Sequence, residues 1–417
     1  MQRACPSRIH PEHLDSMSCF LDALRAETVL ADGALGSYIF ELTGRLSETG
    51  HVYEALSIDN PQLIRDVYRA YLNAGSRCLT TNTFAANSAC LAAFGMAERS
   101  TELSAAAVTI ARETIDDFAR ANNVASAGFY VLGSVGPTQA GDESDGALAE
   151  AYSPQLQALI DGGVDALLLE SFRSVELLQG VLRAVARLDT DLPVIAHMSL
   201  NQDSGSWNVP PEQLVDLGAR EGAHVVGINC CAPWDAEDFI HAAAATPQVE
   251  AGDLLLSAMP NVGGFQHIGN RFMTRVNPEY MGQLGRRLSQ RGAQLIGGCC
   301  EIHPAHVWEM NNFLNSRTAW APGASGLVEA EGASQSASQS SRQSSRQSSR
   351  QPAGEDLKRS NGPFSRKLMD GDFAISVEML PSRGTAPKLL QSKVDFVQEL
   401  AASGLVDALD ITDGSRG

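Results

Sequence analysis

Residues 164–200 read VDALLLESFRSVELLQGVLRAVARLDTDLPVIAHMSL. VDALLLE is a continuous apolar run that ends in an acid, without the in-and-out alternation of a strand facing water. Leu178, Val181, Leu182 and Val185 then recur at helical spacing up to the Leu192-Pro193 break, and PVIAHMSL supplies a second apolar run. Strand, helix, strand, with both strands buried on two faces, is the repeating unit of a parallel sheet. Outward from it the same alternation recurs, with runs at TVLADG (28–33), SRCLTTNT (76–83), FYVLGSVG (129–136), HVVGINC (224–230), LLLSAMPN (254–261) and AQLIGGC (293–299). Asn60-Pro61 reads as a helix cap followed by proline at the first helical position; Ile64, Val67, Tyr68 and Tyr71 follow, and Gly75 closes the segment. Eight alternations over about 300 residues predict a (β/α)8 TIM barrel. An open doubly wound sheet is the alternative, disfavoured because no GxGxxG follows the first run.

The chain has 417 residues, 44% of them hydrophobic and 19% charged, which is ample for a buried core. Its 31 basic residues against 49 acidic ones give a net charge of −18. That charge argues against binding to nucleic acid or to an anionic membrane surface. No stretch approaches the ~18 apolar residues of a membrane span. MQRACPSRIHPEH at the start lacks the apolar run of a secretory signal, so a cytoplasmic protein is expected. Eight cysteines are too few for a disulfide scaffold in a chain of this length, yet four stand as adjacent pairs, Cys230-Cys231 and Cys299-Cys300.

Three regions are expected: a barrel over 20–320, a flexible linker over 323–362, and the opening of a second barrel over 363–417. The linker contains SQSASQSSRQSSRQSSRQ (334–351), which offers no large apolar side chain to bury. Periodic text resumes with FAISVEML (373–380) and VDALDIT (406–412), too little for a complete domain of this type.

In a barrel of this kind the chemistry lies at the C-terminal strand ends. These carry Asp32-Gly33, Thr81-Asn82-Thr83, Ser134, Glu170, Asn229-Cys230 and Gly298-Cys299-Cys300. An acid or amide at one strand end commonly caps a turn; six polar groups at one mouth, three thiols among them, exceed that explanation. Cys230, Cys299 and Cys300 match the thiolate chemistry of a zinc site with three protein ligands and one open position. Both Cys299 and Cys300 can ligate only if the chain has already turned, which Gly297-Gly298 permits, whereas Cys230 and Cys231 should diverge. The competing reading is that these are small buried side chains packed as apolar groups. Three thiolates on zinc leave a net charge of −1, which suits capture of an external thiol as thiolate better than activation of water. The chemistry suggested is alkylation of a small thiol.

The stretches DGALG (32–36), TTNTFAAN (80–87), GSVGP (133–137), LLLESFRS (167–174), GINC (227–230) and IGGCC (296–300) closely resemble the homocysteine S-methyltransferase family over about residues 25–315. The resemblance implies a zinc-dependent barrel with Cys230, Cys299 and Cys300 as ligands. It also implies that Asp32 and Glu170 hold the substrate ammonium and that amides near Gly33 and Thr81 hold its carboxylate. The expected reaction is methyl transfer to homocysteine, giving methionine, with S-methylmethionine, S-adenosylmethionine or methylfolate as donor; the acidic mouth favours a cationic sulfonium. Where many members have Gly-Thr-Thr-Pro after the double cysteine, this chain has Glu301-Ile302-His303-Pro304. The change removes a turn glycine and places His303 near the metal, either as a substitute ligand or as a surface loop residue. Cys231 is read as packing or as a spectator thiol.

The tail resembles the start of methylenetetrahydrofolate reductase, with Glu378 in the place of its acid/base glutamate, and so implies a fusion of the two enzymes. FAD would be held only by a complete reductase domain. Other readings stay open: a structural zinc site closed by His303 or Cys231, transfer to a related thiol or selenol, or a redox pair joining Cys299 to Cys300.

Overall fold

Each of the eight apolar runs contains a strand in the computed structural model. They are β1 (Val29–Leu30), β2 (Cys78–Thr80), β3 (Tyr130–Val135), β4 (Ala166–Phe172), β5 (Val194–Met198), β6 (Val225–Asn229), β7 (Leu255–Met259) and β8 (Ala293–Ile296). The structure describes residues 20–43, 52–138, 143–188, 190–203, 205–268, 271–274 and 276–316, with short pieces between 367 and 411. The strands pair in parallel in the order β1-β8-β7-β6-β5-β4-β3-β2. The ends of that row meet: Ala31 bridges Cys78, the Arg77 N–H donates to Leu30 O, and the Asp32 N–H donates to Cys78 O. The sheet is thus a (β/α)8 barrel, as the alternation predicts, and the open sheet is excluded.

The unbroken apolar runs are explained by burial on both faces. Val29, Leu132, Ala166, Leu168, Ile195, Val225, Leu255 and Leu295 pack with one another inside the barrel. Their strand neighbours Leu30, Leu79, Val131, Leu167 and Val226 belong to a separate outer core shared with the helices. Helix α1 (Phe20–Ala26) adds Phe20, Leu21 and Leu24 to the inner cluster, with Phe20 edge-on to Tyr130 at 5.2 Å, so the barrel interior is filled rather than hollow.

Helix α2 (Gly36–Thr43) follows β1, and α3 (Pro61–Asn73) precedes β2. The Leu63 N–H donates to the Asn60 side chain, with Pro61 at the first helical position, and Ile64, Val67, Tyr68 and Tyr71 face the core as their spacing requires. Further helices are α4 (Ser100–Asn122), α5 (Asp145–Asp161), α6 (Val175–Ala186), α7 (Pro211–Glu221), α8 (Pro233–Ala244), α9 (Pro278–Gln290) and α10 (Pro304–Asn315). Among the described residues no helix is long and apolar enough to cross a membrane.

The chain divides into a unit of 1–322 and a unit of 323–417. The linker expected over 323–362 lies outside the described residues, as do most of 363–417. Within the second unit Ser376–Met379 pairs in parallel with Ala408–Ile411, Glu378 opposite Asp410.

Candidate functional site

A cavity of about 650 Å³ opens at the C-terminal ends of the strands, where Gly33, Thr81, Glu170, Cys230, Cys299 and Cys300 all reach its wall. The backbone is bent to bring them there. Strand β8 ends at Ile296, and the chain then turns: the Gly298 N–H donates to Asp32 O, the Cys299 N–H to Pro260 O, and the Ile302 N–H to Cys299 O. A Cβ on Gly298 would stand 2.1 Å from Ile302 Cγ2, so the turn closes only with glycine there. Cys230 takes a left-handed conformation, φ 51°, immediately after β6. That one residue aims its sulfur into the mouth and sends Cys231 back into the helix-side core, where it is buried. The divergence expected of Cys230 and Cys231 is therefore present.

The three sulfurs come together across 70 residues of sequence. Cys230 Sγ lies 3.6 Å from Cys300 Sγ, Cys299 Sγ lies 3.9 Å from Cys300 Sγ, and all three fall within 4.8 Å of one another. Sulfurs at about 2.3 Å from a tetrahedral zinc stand about 3.8 Å apart, close to the two shorter separations here, so this donor set is compatible with zinc. The Cys300 thiol is pulled down to about 3 because the Cys230 and Cys299 thiols both hydrogen-bond to its sulfur. Three sulfurs this close could hold a metal ion. Among the described residues the cluster is these three cysteines alone. Cys231 points away from it, and His303 is engaged elsewhere, so neither belongs to the cluster. Cys299 and Cys300 are free thiols, as are the other cysteines among the described residues.

Beside the sulfurs, Glu170 is held at both oxygens. The Ser134 hydroxyl donates to Oε1 at 2.5 Å and Asn229 Nδ2 donates to Oε2 at 3.1 Å. Burial pushes the Glu170 carboxyl up to about 7, against the lowering effect of the Ser134 bond. Asn229, wholly buried at the end of β6, also receives the Ser171 N–H on Oδ1 at 2.8 Å and donates to Ser171 Oγ at 2.9 Å. Ser171 is left-handed, φ 64°, at an irregularity in the β4–β5 register between Leu169 and Phe172. Such a bulge re-aims a side chain at a barrel rim, here the carboxylate of Glu170.

Two expected contacts are placed differently. Both Asp32 oxygens are occupied by Thr80, whose N–H donates at 2.8 Å and whose hydroxyl donates at 2.9 Å, and Asp32 is buried behind the cavity wall rather than on it. Burial pushes its carboxyl up to about 8, opposed by the two Thr80 bonds. The Thr81 N–H donates to Leu132 O within the sheet and its hydroxyl is shared between Thr83 Oγ1 and the Ser134 N–H, so Thr81's own donors are already partnered. Gly33 lies on the wall, where a Cβ would stand 2.1 Å from Ile302 O.

His303 is neither a surface loop residue nor a member of the sulfur cluster. It is 8% exposed; Nδ1 pairs with Glu41, and Nε2 lies 3.0 Å from Ser37 Oγ. The backbone keeps the turn that glycine would favour, with Glu301 at φ 65°. Ser134, Ser171 and Arg173, the last the one basic side chain lining the cavity among the described residues, and Asn229, which bonds Glu170, are site residues that the motif reading did not assign to roles. Their signal lay in the quoted stretches GSVGP, LLLESFRS and GINC.

The family profile described as homocysteine S-methyltransferase matches residues 29–314. A homocysteine S-methyltransferase of Escherichia coli is 29% identical over 305 residues, covering 68% of this chain and 94% of that protein. A methionine synthase of Mycobacterium tuberculosis is 27% identical over 306 residues, covering 70% of this chain and 25% of that protein. The matched part of this chain thus spans about a quarter of the mycobacterial methionine synthases. In fold, the chain is similar to the metallated form of the homocysteine methyltransferase MmuM of Escherichia coli, with a TM-score of 0.56 at 24% identity over 69% of this chain and 99% of that one. With the profile spanning the whole barrel from β1 to α10, this chain belongs to the homocysteine S-methyltransferase family.

Proposed function

We propose that residues 20–320 transfer a methyl group to the thiol of homocysteine, giving methionine. The observation that carries this reading is the convergence of three sulfurs and a fixed carboxylate on one cavity. Cys230, Cys299 and Cys300 would hold zinc, which supplies the Lewis acidity that keeps a fourth, external thiol in its thiolate form at neutral pH.

The chain's own residues do the rest. Glu170, fixed by Ser134 and Asn229, receives the substrate ammonium, and a cation there would draw its carboxyl back toward the ionised form. Asp32, its carboxyl pushed up to about 8 by burial and both oxygens bonded to Thr80, braces the wall behind Glu170 rather than supplying charge. The Gly33 amide and Arg173 are the donors suited to the substrate carboxylate. Leu35, Leu177 and Met259 line the remaining wall and limit water around the reacting sulfur. That sulfur forms its bond to the methyl carbon as the carbon's bond to the donor breaks, and the leaving group departs with the electron pair. The cavity holds both reactants, so the gain is largely one of proximity and alignment.

Three thiolates on zinc, net charge −1, beside Glu170 favour a sulfonium donor such as S-methylmethionine or S-adenosylmethionine over methylfolate. The test is methionine formation by the zinc-loaded chain with each donor offered separately, alongside X-ray absorption at the zinc edge with and without homocysteine. One added sulfur scatterer on homocysteine binding and turnover with one donor support the reading. An unchanged four-ligand shell without turnover refutes it. For residues 363–417 we propose the first strands of a reductase-type barrel; the parallel pairing of Ser376–Met379 with Ala408–Ile411 supports a βαβ unit there.

A further inference from the structure

We propose that Ser37 and His303 are positioning residues that hold the Cys299-Cys300 pair in its ligating arrangement by clamping α2 onto the turn at Glu301. This rests on the reading that those cysteines bind zinc. Glu301 is left-handed at φ 65°, a conformation that side chains other than glycine resist and that persists where the surroundings over-determine it.

The surroundings are specific. The Glu301 N–H donates to Ser37 Oγ at 3.1 Å. Ser37 Oγ lies 3.0 Å from His303 Nε2, and His303 Nδ1 faces Glu41, one helical turn beyond Ser37. Tyr38 sets its ring 5.3 Å from the imidazole. On the other side, the Ala34 N–H donates to Ile302 O at 2.9 Å, and the Tyr71 hydroxyl sits between Ala34 O at 2.7 Å and Ile302 O at 3.0 Å. Three residues of α2 therefore grip one imidazole, and the grip reaches the sulfurs only through the backbone from 299 to 303. The chain thus keeps a strained turn at the place where its family resemblance would put glycine, and the Ser37–His303–Glu41 set holds it there.

The test compares the full chain with S37A, H303N, E301G, S37A/E301G and H303N/E301G. The readouts are zinc affinity, by competition with a chromophoric chelator, and affinity of the metal-free protein for phenylarsine oxide, which bridges two neighbouring thiols. S37A and H303N, which act on the ligands only through the backbone, are expected to weaken zinc binding by up to about tenfold, the low end of the loss seen when a ligand's direct partner is removed, and to weaken arsenical binding in parallel. Glycine adopts the turn unaided, so E301G should restore both in either double variant. Parent-like affinities in S37A and H303N would overturn the proposal. So would a loss that E301G does not recover, since a general folding defect would be blind to residue 301. If the parent chain binds no zinc, the functional reading falls, and the arsenical measurements still decide the clamp.

Discussion

Replacing Asn229 with alanine separates the site's scaffolding from its chemistry. The side chain is wholly buried and makes three hydrogen bonds: from the Ser171 N–H at 2.8 Å, to Ser171 Oγ at 2.9 Å and to Glu170 Oε2 at 3.1 Å. A bond to a charged group contributes about 1.5–3 kcal/mol and a neutral one about 1 kcal/mol, so the set amounts to about 4 kcal/mol. Ser171 also loses the partner that holds it at φ 64°, a conformation costing about 1–2 kcal/mol for a non-glycine residue. Relaxation of that turn recovers part of the loss, and water entering from the cavity recovers more. A net destabilisation of about 2–4 kcal/mol is expected, measured as the shift in urea midpoint at pH 7 with zinc present. The relaxation has a functional consequence, because it swings the Glu170 carboxylate away from its fixed position. Homocysteine affinity should then fall about tenfold to a hundredfold, by calorimetry, while zinc stays bound at one per chain. A variant within about 1 kcal/mol of the parent that binds homocysteine equally well would refute the idea that Asn229 fixes Glu170.

Cys299→Ser removes one of three sulfurs, so atomic absorption should find zinc well below one per chain and methionine formation should vanish; full activity would refute the ligand set. Asp32 holds its proton up to about pH 8 in the folded chain but only to about 3.8 when unfolded. Between those values the folded state binds more protons, so stability of the metal-free protein falls as pH rises through the window. D32N should flatten that fall in urea midpoints from pH 4 to 8, and an unchanged slope would show that Asp32 is not its source. Gly33→Ala places a carbon 2.1 Å from Ile302 O and 3.1 Å from the Tyr71 hydroxyl, so the cysteine loop must retreat. A loss of about 1–3 kcal/mol and weaker zinc binding in chelator competition are expected, and parent-like values for both would refute the tight approach.

The eight strands were legible because burial on both faces leaves a local mark: a run such as VDALLLE is uninterrupted wherever it sits. The Asn60-Pro61 cap and the Ile64–Tyr71 periodicity were legible for the same reason, each acting within a turn or two of chain. At the mouth, the polar strand ends and the double cysteines were visible as residue types, and their convergence followed once eight strands implied closure. Contacts at that mouth were less legible. Thr81 looked like a donor to substrate until the sheet was seen to use its amide on Leu132. Asp32 looked like a cavity acid until Thr80 was seen to occupy both its oxygens. His303, one residue before α10, carried no local sign that Glu41 and Ser37 would enclose it from a helix more than 260 residues earlier.

Amino-acid order alone therefore determined the strand runs, the helix caps between them and the chemical types carried to the barrel rim, since each depends on neighbours a few positions apart. Tertiary structure alone decided which rim groups face the cavity and which are consumed by the sheet. It also decided the left-handed turns at Ser171, Cys230 and Glu301 that aim a carboxylate and three sulfurs. Those turns are unfavourable taken one by one, and they exist because distant strands and α2 hold them, a constraint that no stretch of chain exerts on itself.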